Sequence, residues 1–434
     1  MKNRTVSANE AWKQLIEKYD IVNQIHKKGV FRIRANQIKE FKEPRLMAKW
    51  DSSDSLPEVL RSNQINILPD SRSSYVLSDF LLYEKIPELQ EHVTQMDHVD
   101  IPEYESVDIN HISSEANAIN VLILSGILDD FLQTDSNVST FHGRMGTGKF
   151  EFTVDSYSGE KRRICVDHAQ CEIDGGFENA DSVVILEAKN VVHEDFHIRQ
   201  LYYPFRLWKT KVRKPIRLVF AIYSNKIYRL FEYRFRDVDD YSSIELVREK
   251  NYSLQDTAIS LEELQALCKC TEVVTDDNQF ESEEKIPFIQ ADSLDRVISL
   301  LENLYDNPMS TREIAELMQF DIRQSDYYYN AGKYLGIFIK TSEHGQKAVE
   351  LTALGNRLFQ MDYKQRQLAL VSRILQHRIF SDFFVDIAAR GLFPSKKEIE
   401  AKMREYHVCN EGQINRRATS VACWLRWIFG LTRR

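Results

Sequence analysis

The sequence predicts an α/β (α+β) architecture, with a mixed sheet flanked by helices mid-chain and a mostly helical C-terminal part. Three observations carry this expectation. A helix-patterned stretch at 113–132 precedes five strand-like runs. A second helix-like segment lies between those runs, and helix, strands, helix, strands is the order of an α/β layer. An acidic, aperiodic segment at 271–285 (TEVVTDDNQFESEEK) then ends the pattern, and the rest of the chain reads as helical.

Each element has its own reason. Residues 1–110 carry mixed patterning and form an α+β region. The stretch 113–132 (SSEANAINVLILSGILDDFL) has a Ser start and apolar positions at helical spacing. Runs at 150–154, 163–173, 183–188, 218–223 and 227–235 are rich in β-branched and aromatic residues and read as strands. Residues 194–209 read as a helix. The domain limits expected are 1–110, 111–270, a linker at 271–290, then 291–360 and 361–434. In 291–360, a helix at 294–304 is followed by Ser310-Thr-Arg-Glu313, a capping box that opens a helix at 311–318. A helix through Tyr327 and Tyr328, strands at 337–341 and 348–352 around a turn at 343–346, and a helix at 353–359 complete it. In 361–434, helices are expected at 380–389 and 395–406, with a last one through Trp424.

The 434 residues include 57 Lys+Arg and 65 Asp+Glu, for a net charge of −8. That length suits two to four domains, and 43% apolar residues supply several cores. The longest nearly apolar stretch, 119–128, is about half of a bilayer span, so no membrane partner is expected. The charged start lacks the apolar core of a secretory signal. Six cysteines without a CxxC pair point to reduced thiols and a cytoplasmic location. An acidic total argues against a general nucleic-acid coat. The charge is nevertheless blocked: 27–49 holds eight bases and two acids, and 199–236 eleven bases and one acid. Residues 84–108 reverse this with eight acids and one base, and 331–434 carries eighteen bases and nine acids. Such blocks are either solvated faces or separate anion-facing surfaces.

Three motifs carry candidate chemistry. Gly143-Arg-Met-Gly-Thr-Gly148-Lys149-Phe150 approaches a phosphate-binding loop, but Phe150 replaces the magnesium-binding hydroxyl and a strand pattern follows where a helix should start. It reads as a glycine-rich turn whose Arg144 and Lys149 can meet a DNA phosphate. His193-Glu-Asp-Phe-His197 matches HExxH, two histidines on one helical face with a Glu as base. No third ligand follows at Gln200 or Tyr203, so a polar helix start is the alternative. The third is Asp174, followed by Glu187-Ala188-Lys189 ending the apolar run SVVILEAK. A buried strand ending in Glu-x-Lys sets both charges on one face. Gly175-Gly176 and the polar stretch to Ser182 allow the preceding strand to pair back and bring Asp174 beside Glu187. Two such carboxylates, with the Ala188 carbonyl, offer hard oxygens to Mg²⁺. Lys189 can then stabilise the attacking hydroxide or the charge on a phosphate.

These motifs resemble the PD-(D/E)xK nuclease superfamily, and specifically type II restriction endonucleases with C-terminal winged-helix domains. The matching stretches are Ser114-Glu115, Ile173-Asp174-Gly-Gly-Phe-Glu178, Leu186-Glu187-Ala188-Lys189 and His197-Ile-Arg-Gln200-Leu-Tyr-Tyr-Pro-Phe-Arg206. The resemblance implies metal on Asp174 and Glu187, catalytic assistance from Lys189, and support from Glu115 and Gln200. Ile173 departs from the nominal proline. It further implies Mg²⁺ as cofactor, and double-stranded DNA, a cognate DNA methyltransferase and a second copy of the chain as partners. The N-terminal region would contact DNA, and Arg206, Lys209, Lys211 and Arg213 would track its backbone. Helix, helix-turn-helix and hairpin in 291–360 are winged-helix parts, whose second helix enters a major groove. Arg323, Gln324, Tyr327 and Tyr328 would then face bases or phosphates, as would Arg416, Arg417 and Thr419 in a second, winged-helix-like unit. The alternatives are a DNA-binding regulator with a silent nuclease fold, and an HExxH zinc protease.

Overall fold

The computed structural model describes residues 7–89, 92–96, 104–112, 114–274, 287–343 and 346–434. Most of the expected linker and the tip of the expected wing, 344–345, lie outside them. At the centre is a mixed seven-stranded sheet. Its order is Val93–Gln95, Ile244–Ser253, Ile227–Phe235, Ile216–Ser224, Val183–Lys189, Gln170–Glu178 and Val138–Gly146. Val183–Lys189 runs parallel to Ile216–Ser224 and antiparallel to Gln170–Glu178. The parallel pair needs a crossover, which helix Arg199–Lys209 supplies.

The unbroken aliphatic run of Val183–Lys189 follows from cover on both faces. Val184, Leu186 and Ala188 enter a core shared with helices Glu115–Leu124 and Ile127–Leu132. Ile185 enters the opposite core with Leu201 of the crossover helix. Glu187 and Lys189, each two residues further on, belong to this second face.

Several expectations need correction. The run 163–173 is two strands, Arg162–Asp167 and Gln170–Glu178, parted at His168, whose φ is 55°. The hairpin turns at 179–182 rather than at the glycines, where Asn179 Oδ1 accepts from Asp181 N (2.9 Å) and Ser182 N (2.8 Å). Gly176 lies within the strand for a packing reason. A Cβ there would sit 2.2 Å from the Phe141 ring, which stacks on Trp208 at 3.7 Å. The glycine-rich segment joins strands Val138–Gly146 and Lys149–Val154 and opens no helix, so it lacks the helix end of a phosphate loop.

The N-terminal region packs short helices around a three-stranded sheet, Phe31–Arg34, Ser74–Ser78 and Asn66–Pro69, over Trp12, Leu15 and Leu60. It is fastened to the central unit by an apolar core, in which Leu68 and Val76 join Phe152 and Tyr203, and by polar contacts. Asp195 accepts from Ser52 Oγ (2.9 Å) and Ser53 N (2.8 Å), and Tyr203 donates to the Pro69 carbonyl (2.8 Å).

The C-terminal part begins with helices Leu294–Leu304, Thr311–Met318 and Ile322–Tyr334. Strands Phe338–Glu343 and Gln346–Leu351 come next, and then helix Ala353–Gln360. Helices Tyr363–Leu375, Arg378–Arg390, Lys396–Glu405 and Glu411–Gly430 fold onto the same core, where Trp424 packs against Tyr334 and Phe380. Among the described residues, 361–434 contains no strand, so the expected second winged-helix-like unit has no wing. Its apolar faces cover the preceding unit instead. A buried ion pair joins this part to the sheet: Glu302 accepts from Arg366 (2.7 Å) and from Asn225 N at the strand turn (2.9 Å). No helix of the described residues is long and apolar enough to cross a membrane.

Candidate functional site

Backbone pairing between Gln170–Glu178 and Val183–Lys189 stops at Gly175 and Leu186. Beyond that point the Asp174 side chain takes over, accepting from Ala188 N at 3.0 Å. The strand end therefore opens into a cleft of about 470 Å³ lined by Asp174, Glu187, Lys189, Glu115 and Gln200. Glu115 comes from the first turn of its helix, capped by Ser114, and Gln200 from the first turn of Arg199–Lys209. Glu187 Oε1 accepts from the Lys189 ammonium at 2.5 Å and also from Gln200 Nε2. All five residues expected to act together are thus brought together, from four separate elements.

The electrostatics follow from burial among like charges. Burial pushes the Glu187 carboxyl up to about 8, with Lys189 pulling the other way. Burial also raises the Glu115 carboxyl. For Lys189 burial favours the neutral amine, but Glu187, Glu115, Asp174 and Asp51 outweigh it and hold the ammonium above its ordinary range.

Asp51 escaped the sequence reading. It is only 7% exposed and lines the same cleft from the N-terminal region, and its Oδ1 has no hydrogen-bond partner. Burial works against its charge, yet Lys189, Arg199, Lys49 and His197 hold its carboxyl below the usual range. Arg45, Lys49, Arg72 and Arg199 line the cleft as well. The basic block at 27–49 pointed to Arg45 and Lys49; nothing local in the sequence marked Asp51 or Arg72.

The oxygen donors fit a hard divalent cation better than zinc. Asp174 and Glu187 offer carboxylate oxygens, the Ala188 carbonyl directly follows Glu187 in the chain, and Gln200 Oε1 is a buried acceptor without a partner. Among the described residues, no three His, Cys, Asp or Glu side chains stand close enough to hold a metal ion between them. The HExxH reading fails on geometry. Residues 194–198 are not helical: Asp195–His197 is a strand paired with Tyr83–Lys85, because Phe196 buries itself in the sheet core. Along extended chain, positions i and i+4 lie roughly 13 Å apart. Burial pushes both His193 and His197 down to about 3, so each is a neutral core residue.

The side chains expected to meet DNA divide in two. Arg144 lines the cleft, paired with Glu172 at 3.2 Å, and Lys149 is exposed at a strand start. Lys209, Lys211 and Arg213 are exposed at the far end of the crossover helix. Arg206 is not available. It donates to the carbonyls of Glu151 and Val238, pairs with Asp239 at 3.0 Å and lies over the Phe150 ring. Nor is 199–236 one basic surface, since Arg217 is bound bidentately by Glu232 (2.6 and 2.7 Å) and Arg229 is buried. On helix Ile322–Tyr334, Arg323 is exposed and Gln324 and Tyr327 are not buried, whereas Tyr328 is buried and bonded to Arg296. In the last helix Arg416 is exposed but paired with Asp292 (2.8 Å), while Arg417 is buried and Thr419 half-buried.

Comparison with known families adds boundaries rather than chemistry. Residues 9–77, 78–253 and 296–433 are similar to three models, each described as a domain of unknown function: DUF6996, DUF6997 and DUF7226. No curated protein and no solved structure matches the chain. The sheet and its carboxylates fall within the second matched segment, and Asp51, Arg45 and Arg72 within the first.

Proposed function

We propose that the chain is a Mg²⁺-dependent, sequence-specific endonuclease of double-stranded DNA, a type II restriction enzyme with a PD-(D/E)xK core. The observation supporting this reading is the convergence of Asp174, Glu187, Lys189, Glu115 and Gln200 on one cleft. Asp174, Glu187 and the Ala188 carbonyl are the oxygens that would hold the cation. A bound Mg²⁺ supplies Lewis acidity for a phosphodiester and acidifies water. Lys189 balances the charge that builds on the phosphate, and Gln200 fixes the Glu187 carboxylate by its hydrogen bond. Water adds to phosphorus in line; the bond to one sugar oxygen breaks, and that oxygen leaves with a proton.

In the same reading, 291–360 is a winged helix whose Arg323, Gln324 and Tyr327 face the duplex. A second copy of the chain cuts the second strand, and a methyltransferase of matching specificity protects the host DNA. The test is cleavage of plasmid DNA with Mg²⁺ by the purified protein and by Lys189→Ala. Wild type should give discrete fragments, and the variant should bind DNA without cutting it. Undiminished cutting by the variant sinks the site. Binding without cleavage by wild type, whatever the divalent metal, would favour a DNA-binding regulator.

A further inference from the structure

The cleft has two walls, and the catalytic strand supplies only one. The other belongs to the N-terminal region: Arg45 opens the short helix Arg45–Ala48, and Arg72 sits in the turn between strands Asn66–Pro69 and Ser74–Ser78. Most arginines nearby already have acidic partners. Arg32 pairs with Asp70 at 3.0 Å, Arg144 with Glu172 at 3.2 Å, Arg162 with Asp79 at 3.4 Å, and Arg199 lies 3.7 Å from Asp51. Arg45 and Arg72 are the exceptions. Both are exposed and, among the described residues, neither makes an ion pair or side-chain hydrogen bond.

This wall is also fixed in place. The N-terminal region is tied to the segment just after the catalytic strand by Ser52 and Ser53 on Asp195, and by His197 N donating to the Asp51 carbonyl at 2.9 Å. Arg296 adds a link from the C-terminal part to Asp54. The wall that carries these two unpaired guanidiniums is therefore fastened across from a set of carboxylates that would hold a cation and, through it, a phosphodiester. A planar guanidinium binds a phosphate through two parallel N–H donors, so a pair of this kind suits a polyanion that passes over the carboxylates.

Resting on the nuclease reading, we infer that Arg45 and Arg72 hold backbone phosphates flanking the scissile one. The N-terminal region is then the far jaw of the cleft and not a separate module. Strand positioning is shared between two segments far apart in the chain.

The test is the salt dependence of duplex binding in the non-cutting Lys189→Ala background, with Arg45→Ala, Arg72→Ala and, as a control, the exposed Lys269→Ala. Each lost phosphate contact should lower the slope of log affinity against log salt by about 0.9. The two arginine variants should each show that drop, and both together about 1.8, while Lys269→Ala keeps the parent slope. Misfolding reduces the fraction of active protein but leaves the slope alone, so it cannot imitate the result. Unchanged slopes for both arginine variants overturn the inference and leave the nuclease reading standing. Absence of duplex binding by the parent at any salt overturns the nuclease reading and the jaw with it.

Discussion

Arg296 ties the C-terminal part to the segments that line the cleft. It lies in helix Leu294–Leu304, is 4% exposed, and touches three parts of the molecule. Its guanidinium donates to the Val192 carbonyl (3.2 Å), three residues beyond Lys189, and to Asp54 Oδ2 from both terminal nitrogens (3.3 Å each). It also bonds Tyr328 on helix Ile322–Tyr334. Charge-assisted hydrogen bonds contribute about 1.5–3 kcal/mol each, and lengths of 3.2 Å and above place these at the low end. Glu194, 3.8 Å away and 72% exposed on its side chain, adds little. Asp54 is itself partly exposed and recovers hydration when the partner is lost. Arg296→Met should therefore cost about 2–3 kcal/mol, with some of the loss offset by the apolar packing of the methionine. Arg296→Lys should retain part of it, because an ammonium cannot reproduce the fork. Urea unfolding followed by tryptophan fluorescence measures the loss. Cleavage and duplex binding, measured together, should both weaken, since Arg296 fastens the segment after Val183–Lys189, Asp54 beside the N-terminal wall, and Tyr328. A loss below about 0.5 kcal/mol with cleavage unchanged would refute the reasoning.

Two further predictions concern packing and protonation. Gly176→Ala puts a methyl into the Phe141 ring, so it should destabilise the chain by about 1–3 kcal/mol and lower the melting temperature; an unchanged value would mean that the ring moves freely. Glu187, pushed up to about 8, must release a proton before it can hold a cation. Ca²⁺ affinity by calorimetry should thus fall by up to about tenfold per pH unit below 8, and a flat profile would contradict the assignment. The same carboxyl sets the sign of the stability change. Its folded value lies above the ordinary 4.5, so the metal-free protein binds that proton more tightly folded than unfolded and loses stability as pH rises from 4.5 to about 8. Glu187→Gln should flatten that slope in a melting-temperature series.

The sheet was legible where a strand is covered on both faces. Val183–Lys189 announces itself as an aliphatic run broken by two charges, and the position of that break is the site. Helix Thr311–Met318 was legible through its capping box, and the strand pair that follows Ile322–Tyr334 was legible in outline. What sequence could not give was the facing of long side chains. Arg206, Arg417 and Tyr328 sit in basic or aromatic runs yet are turned inward and satisfied or buried inside the protein, because an amphipathic side chain hides its length as readily as it shows its charge. Net charge by block misled for the same reason over 199–236, where Arg217 and Glu232 cancel across neighbouring strands. The segment 194–198 has helical spacing, yet Phe196 pairs within a strand, and no local pattern announces that partner. Asp51 was out of reach because its proximity to Lys189 is purely tertiary, made by a region whose own pattern is mixed.

The central claim is that Asp174, Glu187 and Lys189 cut DNA at defined sequences. Sequencing the ends of a plasmid digested with Mg²⁺ tests it most directly. The account predicts that every end falls at one fixed offset from one recurring sequence, and that Lys189→Ala yields no such ends; randomly placed ends, or the same ends from the variant, would contradict it.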